Sequence, residues 1–333
     1  MTDWLRNRIR RPDDGAPKLT ASLSGHLEWE MVTRSGIITQ RGEQSNMVLT
    51  PGLDLLPTHG ITGIQTYAVV GTGATEPNPG QSALVAEAGR TAVQTTGTTD
   101  QVTRPSNGVF VRKVYREFPL AAAVGNLTEW GFAPLGSGGL FCRELFRDGN
   151  GNAIVLTKTN QQYLRLTYSL QITITPIVPT AGAVNVTNVG NMTGKYCWIG
   201  NSSQYYFADY QTFEAQMKGD LGSQSSGAER NLLALNSDVT ARNMTYAGVA
   251  HTELGRTSGT SAPAYVPGSY TRDGVLYTFP TNNGNGTIVG YTMRTATGNG
   301  GLMSAYAWAF DGSLVKTNSD QFTMRGPTVS WSR

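Results

Sequence analysis

The sequence predicts a mainly β protein, built of antiparallel, jelly-roll-like β-sandwich domains with a few short helices. Three observations carry this. Only 15% of the 333 residues are charged, where an ordinary soluble domain has about 25%. Thr, Asn, Ser and 40 glycines take their place; Thr fits a pleated surface, while Gly and Asn supply the positive φ of tight turns. Finally, Tyr163, Arg165, Thr167, Ser169 and Gln171 alternate with Leu164, Leu166, Tyr168, Leu170 and Ile172. This period-two pattern marks a half-buried antiparallel strand.

At about 100–200 residues per domain, the length suggests two domains. Residues 1–20 read as a basic arm and linker, ending in the turn-rich RPDDGAPK. A first β-sandwich is expected over 21–178 and a second β-rich domain with a short helical segment over 185–333. The proline-containing PIVPTAGAVN lies at the boundary.

Within the first domain, SLSGHLEWEMVTRSGIITQRGEQSNMVL reads as two strands joined at Arg34-Ser35-Gly36. TPGLDLLPTHG is expected to form a short helix or turn, with Pro51 in the first helical turn and Pro57 with Gly60 ending it. A strand YAVV leads into a glycine-rich loop. SALVAEAGR then reads as a short helix, capped by Ser82, with Leu84 and Ala88 on one face and Gly89 as its stop. RDGNGN is a hairpin signal.

In the second domain, aromatic strands (KYCWIGNSSQYYFADY) precede a helix-compatible FEAQMKGDLGSQSSGAERNLLALNSDV and a glycine-rich β finish. The segment beginning SLVKTN echoes IVLTKTN: each has Leu-x-Lys-Thr-Asn followed by an aromatic residue and a strand. That echo predicts two related domains on one repeated plan.

The net charge of +3 is concentrated at the N-terminus, so no basic face for nucleic acid is expected. Trp4, Arg6, Arg8, Ile9, Arg10 and Arg11 suit either a nucleic-acid arm or a tail that docks on a partner protein. A docking tail or plain disorder is favoured, since termini are often loose until bound. No secretory signal is expected at the N-terminus, and no apolar run approaches the ~18 residues of a membrane span.

Catalytic signals are weak. GTGATEPNPG has no P-loop lysine, and its two prolines remove amides that would cradle phosphate; it also lacks the third glycine of a dinucleotide fingerprint. GNMTGK is one residue short and runs into Tyr196. His26, His59 and His251 show no metal spacing, and no GxSxG elbow occurs. Cys142 and Cys197 read as buried free thiols. No cofactor is expected. A glycosidase would need two acids across a cleft; Glu28 and Glu30 share one face of a strand. Tyr205, Tyr206, Asp209 and Tyr210, with Glu214 nearby, could form a sugar platform.

The ordered segments GIITQRGEQSNMVLTPGLDLL, YAVVGTGATEPNPGQSALVAEAGRT, LTEWGFAP and LFCRELFRDGNGNAIVLTKTNQQYLRLTYSLQIT resemble a module of tail, collar and tail-fibre-attachment proteins of double-stranded DNA bacteriophages. The resemblance covers about residues 30 to 175. It rests on Asn46, Gly52, Leu53, Gly71, Gly73, Pro77, Leu84, Glu87, Arg90, Glu129, Gly131, Phe141, Arg143, Leu145, Lys158, Leu164 and Tyr168. Trp130 departs from it, standing where a small aliphatic residue is more usual. The resemblance implies a β-sandwich attachment domain in a virion, with no enzymatic activity and with Glu87 paired to Arg90 or Arg143 beneath the loop. It implies other tail, neck or fibre proteins as partners, and copies of the chain itself. The alternative function is recognition of host cell-surface glycan through the tyrosine-rich second half.

Overall fold

The computed structural model describes residues 17–186, 189–198, 207–221, 232–239, 252–296 and 302–333. It is mainly β and antiparallel, as the composition and alternation predict, with three short helices among the described residues. These residues fall into two compact units. The first comprises Ala21–Thr173, Tyr265–Tyr270 and Trp331–Arg333; the second comprises the remainder, chiefly Ile174–Ala264 and Thr271–Ser330.

In the first unit, β1 (Lys18–Thr33) and β2 (Ile38–Val48) form the expected hairpin, turning at Gly36, whose φ of 89° favours glycine. Helices α1 (Thr50–Leu53) and α2 (Leu56–Gly63) follow. Pro57 starts α2 instead of ending the helix, because a proline in the first turn gives up an N–H that has no intrahelical partner. Gly60 (φ 71°, ψ 172°) leaves helical geometry, as expected, so α2 is two short helical pieces meeting at a kink.

The remaining strands are β3 (Tyr67–Gly71), β4 (Glu87–Thr91), β5 (Gln101–Ser106), β6 (Val109–Phe118), β7 (Gly125–Leu127), β8 (Glu129–Ala133), β9 (Cys142–Leu145), β10 (Leu156–Lys158) and β11 (Gln162–Thr175). Their order is β4-β3-β8-β9-β2-β1-β11-β6-β5, with β7 paired to β10. The link from β4 to β5 runs along β6: Glu117 N–H donates to Val93 O (2.8 Å), and Gln94 bridges Arg116. The sheet thus curls back on itself.

On β11, Leu164, Leu166, Tyr168, Leu170 and Ile172 are all buried, as the period-two pattern requires. Phe132 stacks on Tyr168 (4.6 Å), and Trp130 packs edge-on against the same ring (6.1 Å). These rings form the core, since each aromatic side chain removes about 150–250 Å² from water.

Asp100 anchors the β4–β5 link by accepting from Arg116 Nη1 and Nη2 (both 2.8 Å). Burial alone would raise its carboxyl pKa. The Arg116 hydrogen bonds and charge, the Tyr115 amide and Arg112 outweigh burial and hold it below the usual carboxylate value. A depressed folded-state pKa gives stability that is present above the unfolded-state pKa of about 4 and lost as pH falls through the folded one. Melting temperatures measured between about pH 5 and pH 2.5 should therefore fall less steeply for Asp100→Asn than for the parent chain.

The second unit contains β12 (Thr180–Val186), β13 (Gly190–Trp198), α3 (Phe207–Lys218), β14 (Leu232–Asn236), β15 (Glu253–Ser261), β16 (Thr271–Arg272), β17 (Leu276–Phe279), β18 (Gly286–Ala296), β19 (Leu302–Lys316), β20 (Phe322–Arg325) and the first residues, up to Ser330, of β21 (Thr328–Ser332). Eight of these strands close into a barrel in the order β12-β13-β19-β18-β14-β15-β17-β20. The antiparallel class holds, with the strands joined in a ring that leaves no free edge. Tyr196, Trp308 and Tyr291 lie opposite one another on three adjacent strands, and their rings stack at 5.6 and 6.3 Å.

Thr212 to Met217 of α3 are buried on every side of the helix, as expected of a helix packed inside protein. Phe213 meets Trp198 edge-on, and Gln216 donates to the Tyr277 hydroxyl (2.9 Å). Gly219 (φ 69°) stops the helix. Asp220 N–H donates to Ala215 O (2.8 Å) and Gly219 N–H to Gln216 O (3.1 Å), the paired bonds of a Schellman cap. Further along the helix-compatible stretch, Leu232–Asn236 is a fully buried strand.

Candidate docking surface at the glycine-rich loop

The loop of residues 72–86 is held by a buried carboxylate of the chain itself. Glu129, on β8, and Arg143, on β9, have fully buried side chains and pair at 2.8 Å. Glu129 Oε1 accepts from the Gly73 and Ala86 amides (3.0 and 2.8 Å); Oε2 accepts from the Val85 amide (3.1 Å) and Arg143 Nε (2.9 Å). The arginine's other nitrogens reach Gln81 Oε1 (2.7 Å) and the Thr75 carbonyl (2.7 Å). Each buried charge is thus matched by opposite charge and hydrogen bonds, the condition under which burial is tolerated.

This geometry explains the glycines. A Cβ on Gly71 or Gly73 would stand 2.7 or 2.5 Å from Glu129 Oε1. The loop does cradle an anion, and that anion is Glu129. The structure also overturns the helix expected over SALVAEAGR. The Val85 and Ala86 amides turn to Glu129, and Glu87–Thr91 is a strand paired with β3. Leu84 is buried, whereas Ala88 is exposed, so the two do not share an apolar helix face.

Above this anchor the loop is rigidly tied. Thr50 N–H donates to Pro79 O (2.7 Å) and Leu140 N–H to Ser82 O (2.9 Å). Arg147 pairs with Glu76 (2.6 Å) and Glu144 (3.0 Å). Glu87 pairs with Arg90 at 2.7 Å, the first of the two partners expected for it, and Arg90 also donates to the carbonyls of Leu135 and Gly138. Arg143 belongs to Glu129 instead. Thr75, Glu76, Ser82 and Val85 remain exposed on the outside, Val85 at 52%. The result is a surface loop with a fixed shape, which loses little conformational freedom on docking.

The other sequence candidates are dispersed. Trp4, Arg6, Arg8, Ile9, Arg10 and Arg11 lie outside the described residues, as do Tyr205, Tyr206 and His251. Asp209 and Tyr210 fall within α3, but their side chains are outside the description. Glu214 is buried. Glu28 pairs with Lys113 (2.8 Å), and His26 lies 3.5 Å from Glu43. Cys142 and Cys197 are buried free thiols, each pushed up to about 12 by burial. Among the described residues no His, Cys, Asp or Glu side chains group as a metal site, and no helix is long and apolar enough to cross a membrane. An open groove of about 580 Å³ lies between the β1–β2 and β10–β11 turns, lined by Thr33–Ser35 and Thr159, Gln161 and Gln162.

Glu129 and Arg143 were visible as motif residues, but their pairing was not anticipated. The available signal was an acid in the apolar strand LTEWGFA and a base in LFCREL, each of which needs a buried partner. No protein-family model matches this chain, and no curated protein or solved structure does either.

Proposed function

We propose that this chain is a non-enzymatic structural subunit of a tailed-bacteriophage virion. It works in the tail, collar or baseplate region, joins fibres or neighbouring tail proteins, and associates with copies of itself. The observation that carries this reading is the anchored loop. Its amides, which could have bound a phosphate, are occupied by Glu129, while its outer side is exposed and preorganised. The sequence resemblance supplies the virion context. The basic arm containing Trp4 and Arg6 then docks on an acidic or apolar groove of a neighbour.

The test is particle composition. The chain should be found in purified virions, with a nanogold label at the tail. Ala83→Asp, at an exposed position of the loop outside the Glu129 contacts, should melt like the parent chain and lower incorporation by about tenfold, equivalent to about 1.4 kcal/mol of docking energy. Particles of normal composition and infectivity assembled without the chain would overturn the proposal.

A further inference from the structure

The Leu-x-Lys-Thr-Asn echo is one visible piece of a correspondence that runs through both units. Lys158 is 1% exposed and donates from Nζ to Pro119 O (2.8 Å) and Leu120 O (3.0 Å). Lys316 is 3% exposed and donates to Pro280 O (2.9 Å) and Thr281 O (3.3 Å). Each lysine therefore closes a Phe-Pro turn, Phe118-Pro119 in one unit and Phe279-Pro280 in the other.

The backbone repeats as well. Ala122 N–H donates to Pro119 O, and Asn283 N–H to Pro280 O. Gly125 and Gly286 both have φ of 131°. Each faces its lysine in the ladder: Lys158 opposite Gly125, and Lys316 opposite Gly286. After the lysine, Thr159 donates from Oγ1 to Gln162 Oε1 (3.0 Å) and Thr317 from Oγ1 to Asp320 Oδ2 (2.6 Å). The following strands resume in one register, Leu164 opposite Phe118 and Phe322 opposite Phe279.

The same equivalence extends to topology. Each unit runs through a hairpin (β1–β2, β12–β13), a helical segment (α1–α2, α3) and a strand (β3, β14). The strand orders β3-β8-β9-β2-β1-β11-β6 and β14-β18-β19-β13-β12-β20-β17 correspond place by place. β15, joining β14 and β17 in the barrel, takes the path that β4, its link and β5 take in the first unit.

We infer that the chain is a tandem duplication of one curled-sheet module closed by a buried-lysine turn, in which only the first copy retains the ion pair that anchors a docking loop. Ladder registers place Gly290 and Ala307 where the first copy has Glu129 and Arg143, so the second copy cannot form that pair. This inference stands independently of the virion role.

Equivalent turns should be interchangeable in the full chain. Exchanging Leu156–Gln162 (LTKTNQQ) with Leu314–Asp320 (LVKTNSD), in both directions at once, should leave the far-ultraviolet circular dichroism and the unfolding midpoints unchanged. By hydrogen exchange, Lys158→Met should expose the amides around residues 118–128 about tenfold more, and Lys316→Met those around 279–289, each without effect on the other turn. Loss of the folded units in the exchanged chain, or a lysine variant that leaves its own turn fully protected, would overturn the inference.

Discussion

Replacing Glu129 by alanine is expected to destabilise the first unit by about 3–5 kcal/mol, the usual cost of removing one partner of a buried ion pair. The substitution leaves the Arg143 guanidinium buried with a charge no longer balanced, and the Gly73, Val85 and Ala86 amides lose their acceptor. Arg143→Met is expected to fall in the same range, because it strands the Glu129 carboxylate. The double variant Glu129→Gln, Arg143→Met should cost clearly less than the two single costs added, since no unpaired charge remains and residues within one network do not act independently. Urea unfolding followed by circular dichroism gives the stability cost. Limited proteolysis gives its location, with new cleavage expected within residues 72–86. Single variants as stable as the parent would show that the pair does not hold the loop.

The strands were legible where one face is buried and the other is wet. Leu164 to Ile172 alternate because β11 has core on one side only, and Gly36 marked a turn that requires positive φ. Glu87–Thr91 was not legible as a strand: Leu84 and Ala88 have helical spacing, but the competing interaction is a carboxylate more than forty residues further on. A local pattern cannot report a partner at that distance. The same limit hid the candidate site. Glu129 and Arg143 each looked out of place in an apolar strand, but only the β8–β9 register brings them together. The lysine turns were partly legible because the shared residues are contiguous. The turn carbonyls they grip lie 35–39 residues earlier.

Trp331→Ala should be the second large lesion, at about 3–5 kcal/mol, as for other buried aromatic truncations. Val329 and Trp331 alternate with Thr328, Ser330 and Ser332, and Trp331 is only 3% exposed and belongs to the first unit with α1. Its indole N–H donates to Leu53 O (3.0 Å), a carbonyl at the end of α1 that lacks an intrahelical partner. Its ring packs on Tyr265 at 5.4 Å, and the Tyr265 hydroxyl donates to Asp54. Gly268 N–H reaches the same carboxylate at 2.7 Å, so the loss of one ring loosens a connected set of contacts. Trp331→Phe separates the contributions: it keeps most of the packing and gives up the indole bond, so about 1–2 kcal/mol should be lost. Equal losses for alanine and phenylalanine would assign the effect to the hydrogen bond. A large loss for alanine alone would assign it to the ring and would make Tyr265→Leu the milder of the two ring variants, because leucine still covers the indole while leaving Asp54 open to water.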